Sequence, residues 1–328
     1  MREGWELFKL KEVCEIRPAK RETKEFLNED DLVSFVPMSH LNEERKDFHE
    51  EEAKPLKSVY KGYTYFKDDD VLLAKITPCF ENGKMGIAKG LTNGVGFGSS
   101  EFIVYRPDSR LIPEYLFYFL LLPKFRVQGE KMMGGAVGHQ RIPKEFYEDY
   151  EIPIPPLPEQ KRIVAILDEA FEAIDKAKAN IERNIQNAEE LFQSKLNEVF
   201  SQRGDGWEEK PLGELTHVKS GGTPRRSTND YWDNGTIPWY SSGELNDLFT
   251  TGSERLITEK GLLESNAKLF PKGSLLIGMY DTAALKMSIL DRDATFNQAI
   301  SGAKPNEGLN LQFVMHAINA NKTELMEQ

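Results

Sequence analysis

Few side chains in this sequence combine donor chemistry with a setting that would present it. The stretch "GGAVGHQR", Gly134 to Arg141, carries His139, Gln140 and Arg141 behind glycines that let backbone approach a ligand closely. "GGTPRR" places Arg225 and Arg226 in a donor-rich turn. Lys20, Arg21, Lys75, Lys84, Lys286 and Tyr280 also fall in loop-like sequence. Lysine and arginine bind phosphate oxygens, arginine and glutamine read base edges, and tyrosine stacks or contacts a backbone.

Catalytic chemistry has no comparable support. There is no G-x-x-x-x-G-K-[ST] phosphate loop and no Asn/Asp-Pro-Pro-aromatic motif. His40, His49, His139, His217 and His316 lack metal-ligand spacing, and Cys14 and Cys79 are too few for a zinc site or a disulfide framework. Asp68, Asp69 and Asp70 read as a solvated turn rather than a metal site.

These groups sit in 328 residues of ordinary globular composition, 39% hydrophobic and 29% charged. The formal net charge is −11. No apolar run approaches the ~18 residues of a membrane span, and the first residues hold no signal-peptide stretch, so a cytoplasmic protein is expected. Residues 1–157 carry 23 basic against 27 acidic side chains, 158–206 carry 7 against 10, and 207–328 carry 12 against 16. No segment is basic, which on charge alone argues against nucleic acid as a partner.

What positions the loops is a long helix. In "IPIPPLPEQKRIVAILDEAF" four prolines precede a patterned run. Ile163, Leu167, Ala170, Ile174, Ala177 and Ile181 follow steps of 4, 3, 4, 3 and 4, a heptad seam. Ile185, Ala188, Phe192, Leu196 and Val199 continue it after an extra step of four, a stutter. Pro158 suits the first turn, Glu159 the positive end of the helix dipole, and Gly204 and Gly206 stop the pattern. About 45 residues at ~1.5 Å each span ~65 Å. One apolar stripe of that length calls for a helical partner.

The helix separates two copies of one sequence. "GWELFKLKEV" at Gly4 returns as "GWEEKPLGEL" at Gly206, and "KMGIA" at Lys84 returns as "KMSIL" at Lys286, both 202 residues on. "FKDDDVLLA" at Phe66 returns as "FPKGSLLIG" at Phe270, 204 residues on. "FVPMSHLN" is matched loosely by "IPWYSSGELN", and "PEYLFYFLL" by "LQFVMHAIN". Each copy mixes short strand-like runs, such as 71–74, 101–105 and 274–279, with one apolar helix near its end. The fold class is therefore α+β, as two tandem repeats separated by one long coiled-coil-type helix. The expected divisions are 1–157, 158–205 and 206–328. Trp5 and Trp207 are expected to anchor each domain entrance in its core. The second copy has no counterpart of 134–160, so it reads as truncated, without a second long helix.

The proline-to-"EQKRI" junction, together with "GGTPRRSTNDYWDNGTIPW" after a second "GW…PLGEL", resembles the specificity subunit of type I restriction-modification systems. The resemblance covers essentially the whole chain. It implies two target recognition domains, each reading half of a bipartite target in double-stranded DNA, with the helix as ruler. It also implies docking of modification (methyltransferase) subunits, which would bring S-adenosylmethionine, and of restriction (endonuclease) subunits in the larger complex. The chain itself would perform no chemistry and hold no cofactor or metal.

The DNA-contact candidates are then Lys20, Arg21, Lys75, Lys84, His139, Gln140, Arg141, Arg225, Arg226, Tyr280 and Lys286. The seam from Ile163 to Val199, with no second helix to cover it, is expected to pair between chains or fray. Partners encircling the duplex would reconcile an acidic chain with DNA. Two other readings remain open at this point: a DNA-modifying enzyme with recognition and catalysis in one chain, and a coiled-coil scaffold for proteins.

Overall fold

A computed structural model describes residues 4–48, 52–136, 138–202 and 204–327; His49 lies outside them. The chain divides into two compact units, Met1–Lys178 and Ala179–Gln328.

The first unit is built on a sheet of β2 (Cys14–Ile16), β9 (Phe102–Pro107), β6 (Val71–Ala74) and β7 (Met85–Ile87), all antiparallel in that order. Strand alternation sends Val71, Leu73, Ile103 and Tyr105 to one face and Leu72, Phe102 and Val104 to the other. Both faces are covered, which is why β6 reads as an unbroken apolar run. The first face carries α3 (Pro113–Leu120) and α4 (Pro123–Met132) through Leu116, Phe117 and Phe125. The second packs on another sheet, β4 (Glu52–Pro55), β3 (Leu32–Val36), β8 (Val95–Gly98) and β5 (Thr64–Lys67), in which β3 and β8 run parallel. The outer face of that sheet is closed by α2 (Leu56–Val59) through Leu56 and Val59.

A two-stranded ribbon explains the prolines. β1 (Glu6–Lys9) pairs antiparallel with β10 (Glu151–Ile154), setting Leu7 opposite Pro153. Proline is tolerated there because the ribbon is all edge. Two short helices, α1 (Leu10–Val13) and α5 (Lys144–Asp149), lie beside the ribbon. The chain then enters α6 (Leu157–Ser201), 45 residues without interruption. Buried Gln160 fixes its first turn, donating to Arg110 O and Pro155 O (2.7 and 2.9 Å) and accepting from Ile112 N (3.0 Å). No helix among the described residues is long and apolar enough to cross a membrane.

The second unit repeats the plan after α7 (Leu212–Leu215). β11 (Thr216–Ser220), β17 (Ile300–Pro305), β14 (Leu275–Gly278) and β15 (Met287–Ile289) form the main sheet in the order β11-β17-β14-β15, position for position that of the first unit. The second sheet is β13 (Arg255–Ile257), β12 (Ile237–Tyr240) and β16 (Thr295–Phe296), again with one parallel pair. Helix α8 (Glu259–Leu263) packs beside it, and α9 (Leu311–Ala320) covers the main sheet through Leu311, Val314 and Met315. A last helix, α10, runs Lys322–Glu327.

The repeat is also written in hydrogen bonds. Ala74 N–H donates to Lys84 O (3.0 Å) and Gly278 N–H to Lys286 O (2.8 Å). Asp69 N–H donates to Ala88 O and Gly273 N–H to Leu290 O, both at 2.8 Å. Lys75 N–H meets Glu101 O (3.0 Å) where Met279 N–H meets Ala299 O (2.9 Å).

Three sequence expectations change. Asp70 does not sit in a solvated turn: it is fully buried and paired with Arg106. Trp207 is about half exposed, packed on the Phe200 and Phe313 rings rather than in a core. The seam is uneven. Ile163 and Leu167 pack against the first unit's core and Leu196 is 8% exposed, but Ile174, Ile181 and Ile185 are 48%, 58% and 56% exposed.

Candidate functional site

In the first unit the structure gathers Lys75, His139, Gln140 and Arg141. The segment after β6 runs beside the end of the glycine loop: Thr77 N–H donates to Gln140 O and Ile142 N–H to Lys75 O, both at 3.0 Å. Gly134 and Arg141 exchange both backbone hydrogen bonds (3.1 and 2.9 Å), closing the loop on itself. Gly135 and Gly138 have φ of 125° and 80°, so the tight return needs residues without a Cβ. His139 is exposed, and its carbonyl accepts from Arg141 Nη1 at 2.9 Å.

Arg141 forks onto Glu101, Nε to Oε2 and Nη2 to Oε1, both 2.9 Å. Lys75 donates to Ser100 O at 2.9 Å and lies 3.6 Å from Glu101 Oε2. The Arg141 hydrogen bonds, opposed by burial and aided by Lys75, hold the Glu101 carboxyl below the ordinary range. Burial lowers the Lys75 pKa, and the charge of Arg17 lowers it further. Arg17 is exposed, sits at φ 58° and holds its guanidinium 5.8 Å from the Tyr147 ring centre.

Other candidates fall elsewhere. Lys20 donates to Tyr60 O at 2.7 Å, and its ammonium and that of Lys24 lie 5.0 and 4.8 Å from the Tyr60 ring centre. Arg21 is exposed on the same turn, Lys20–Glu25. Lys84 is half-buried across the β6–β7 connection, where its backbone forms an isolated antiparallel β-bridge with that of Glu43.

In the second unit "GGTPRR" is pinned from beneath. Gly221 N–H donates to Ile300 O (3.0 Å), Gly222 N–H to Phe296 O (2.9 Å), and Thr223 bonds Gln298. Trp239 Nε1 donates to Gly222 O at 2.9 Å, and Trp232 Nε1 to Arg225 O at 3.2 Å. Arg225 and Arg226 are thereby left exposed on a fixed turn. Tyr280, 62% exposed, follows Met279, whose N–H is held by Ala299 O. Lys286 donates to Asn246 Oδ1 at 3.1 Å.

Sequence reasoning missed Arg17 and Lys24. The basic cluster "RPAKRETK" was available as a signal; the nearness of Arg17 to Lys75, 58 positions apart, was not. No group of three or more His, Cys, Asp or Glu among the described residues could hold a metal ion. Burial raises the thiol pKa of both Cys14 and Cys79, away from thiolate chemistry. The arrangement offers binding: fixed cationic and polar loops at the ends of sheet strands.

Residues 2–187 and 204–328 match the profile of the type I restriction modification DNA specificity domain. The chain is 38% identical over 195 residues to the Escherichia coli type I restriction enzyme EcoEI specificity subunit, and 36% identical over 195 residues to the EcoAI specificity subunit. Each match covers 59% of this chain and 32% of the relative, so it spans about a third of those proteins. The fold is similar to a chain solved in work on complex assembly and conformational transition of the type I R-M system. There the TM-score is 0.78 at 19% identity, covering 98% of this chain and 81% of that one. It is also similar to the HsdS subunit from Thermoanaerobacter tengcongensis, with a TM-score of 0.64 at 19% identity, covering 99% of this chain and 81% of that one.

Proposed function

The chain belongs to the type I restriction-modification DNA specificity family, and from that premise we propose that it reads a bipartite target in double-stranded DNA. Residues 1–157 and 206–328 are the two recognition domains, and 158–205 the spacer that sets the distance between half-sites. Half-sites about one DNA turn apart, ~34 Å, suit a rigid spacer of this kind. The bases between them go unread.

The observation that carries this reading is the repetition itself. The same strand order recurs on both sides of one uninterrupted 45-residue helix. A reader duplicated on a stiff connection is a device for reading two short sequences at a set separation. Gly134–Arg141 in the first repeat and Gly221–Arg226 in the second, loops at different places in the repeat, carry exposed donors.

The chain supplies specificity and its partners supply chemistry. Methyltransferase subunits dock on the helix and the domains, and endonuclease subunits join the larger complex. An acidic chain suits this assembly, because the partners contribute part of the phosphate neutralisation.

Methylation-site mapping in cells that carry this chain with its modification subunits tests the proposal. A motif of two short specified blocks around an unspecified gap is the expected result. A single contiguous motif, or a methylation pattern independent of this chain, would overturn it.

A further inference from the structure

Two cations and one carboxylate meet at the end of the first unit's main sheet, and the charge of a third cation, Arg17, bears on Lys75. Arg141 forks onto Glu101 and Lys75 lies behind it, while Arg17 stands beside Tyr147. In a chain of net charge −11 this is a local excess of two positive charges. Beyond Tyr147 the excess ends, since Lys144 lies 3.5 Å from Glu148.

The second unit shows what the fold does without the cluster. Backbone hydrogen bonds align Lys75 with Met279 and Glu101 with Ala299. Strand register aligns Arg17 with Lys219: Arg17 N–H donates to Val104 O, and Lys219 stands opposite Gly302 in the equivalent strand pair. The sheet closes equally well around Met279 and Ala299, so neither Lys75 nor Glu101 is required by the fold, while Lys219 keeps a cation at the Arg17 position. Lys75 is held at a cost, because burial destabilises its charged form. A charge that the fold does not need and burial penalises points to a ligand.

We propose that Arg17, Lys75 and Arg141 form a phosphate-binding site for the DNA backbone in the first repeat, with Glu101 as the counter-anion that orients Arg141, and that the second repeat lacks this site. The inference rests on the DNA reading above and divides the labour between the copies. The first repeat supplies the electrostatic anchor. The second presents exposed Met279 and Tyr280 at the equivalent place. Glu101 takes the Nε–Nη2 edge of Arg141 and His139 O one Nη1 hydrogen, leaving the remaining guanidinium N–H groups for a phosphate oxygen, and nothing lies within 4 Å of a Cβ placed on Gly134 or Gly138 in the loop behind it.

The test is the salt dependence of binding by the chain assembled with its modification subunits, using a long duplex pool of randomised sequence. Each lost phosphate contact flattens the slope of log K against log salt by about 0.9. Arg17→Ala with Arg141→Ala should therefore flatten it by about 1.8 and weaken binding across sequences alike. Lys75→Gln, tested separately with a thermal melt, should flatten it by up to about 0.9 without unfolding the chain. Met279→Ala should leave the slope unchanged. An unchanged slope in the folded Arg17→Ala/Arg141→Ala variant, with wild type binding normally, overturns this site and leaves the DNA reading intact. A wild-type complex that binds no duplex at any salt concentration overturns both.

Discussion

The Asp70 carboxylate and the Arg106 guanidinium meet in two parallel hydrogen bonds of 2.8 and 2.9 Å, with Asp70 wholly buried. Arg106 also donates to Glu22 at 2.9 Å, and Asp70 accepts from Lys67 N–H at 2.8 Å. The pair ties β9 to the start of β6 and to the turn at Lys20–Glu25. Burial raises the Asp70 pKa and outweighs the guanidinium beside it, so the ionised pair is held against desolvation. The second repeat places Ser274 at the equivalent position, also fully buried, and its hydroxyl donates to Pro271 O at 2.7 Å.

That substitution pattern makes a double-mutant prediction. Asp70→Ser alone leaves a largely buried guanidinium short of its partner and should cost about 3 kcal/mol in chemical denaturation. Asp70→Ser with Arg106→Met should recover most of that loss, because replacing both members of a buried pair is often near neutral. A double variant no more stable than the single would show that the pair is a net stabiliser in this site.

The entry of α6 depends on a second acid. Lys46 and Tyr118 both bond Asp168 Oδ1, Arg45 reaches Asp175 at 2.8 Å, and the Tyr118 and Phe171 rings stack at 5.5 Å. Burial pushes the Asp168 pKa up, but the bonds from Lys46 and Tyr118 and the Lys46 charge outweigh it and hold the pKa below the ordinary carboxylate range. A depressed acid stabilises the fold above its unfolded pKa, and that stability is lost as pH falls through the folded value. Asp168→Asn should cost about 1 kcal/mol at neutral pH, the modest figure of a solvent-screened pair. The difference between variant and wild type should vanish on acidification. Denaturation at a series of pH values measures it, and a gap that persists at low pH would contradict the assignment.

The "GGTPRR" turn depends on absent side chains. A Cβ on Gly222 would lie 2.2 Å from Asn266 O and 2.7 Å from Ala267 N, both backbone atoms that cannot give way. Gly222→Ala should cost about 1–3 kcal/mol by overpacking and displace the carbonyl that accepts from Trp239, altering the near-ultraviolet circular dichroism. Gly213→Ala, where nothing lies within 4 Å, should leave the spectrum unchanged and the stability equal or slightly higher.

Much of this architecture was legible in the sequence because it is written in local pattern. The step sequence from Ile163 onward predicts α6, and "VLLA" and "LLIG" at matched positions mark equivalent strands. The second sheet was not legible. Its parallel contact, β3 with β8, joins segments about sixty residues apart, and β8 contains two glycines that weaken any strand pattern. Those glycines make room: a Cβ on Gly96 would lie 2.1 Å from the Phe66 ring. Asp70 was misread for the same reason. Three consecutive acids look solvated until Arg106, 36 positions later, is brought beside the third. Of the candidate ligand residues, Lys75 and Arg141 were found as types in loops, but their meeting at Glu101 is a property of strand register alone.

The exposed middle of α6 makes the last prediction. Ile174, Ile181 and Ile185 lie exposed on α6 between Leu167, which packs against the first unit's core, and Leu196, which is 8% exposed. A seam left in water adds nothing to the stability of the chain, so Ile181→Glu with Ile185→Glu should shift unfolding by no more than about 0.5 kcal/mol. Leu196→Glu, which buries a charge, should cost several times more. The seam gains meaning only on pairing. If the helix docks a second helix, from another copy or from a modification subunit, the double glutamate variant should abolish that association in sedimentation velocity while the isolated chain melts as before. A variant that still assembles at wild-type concentrations would show that the partner grips the domains and leaves this stripe bare.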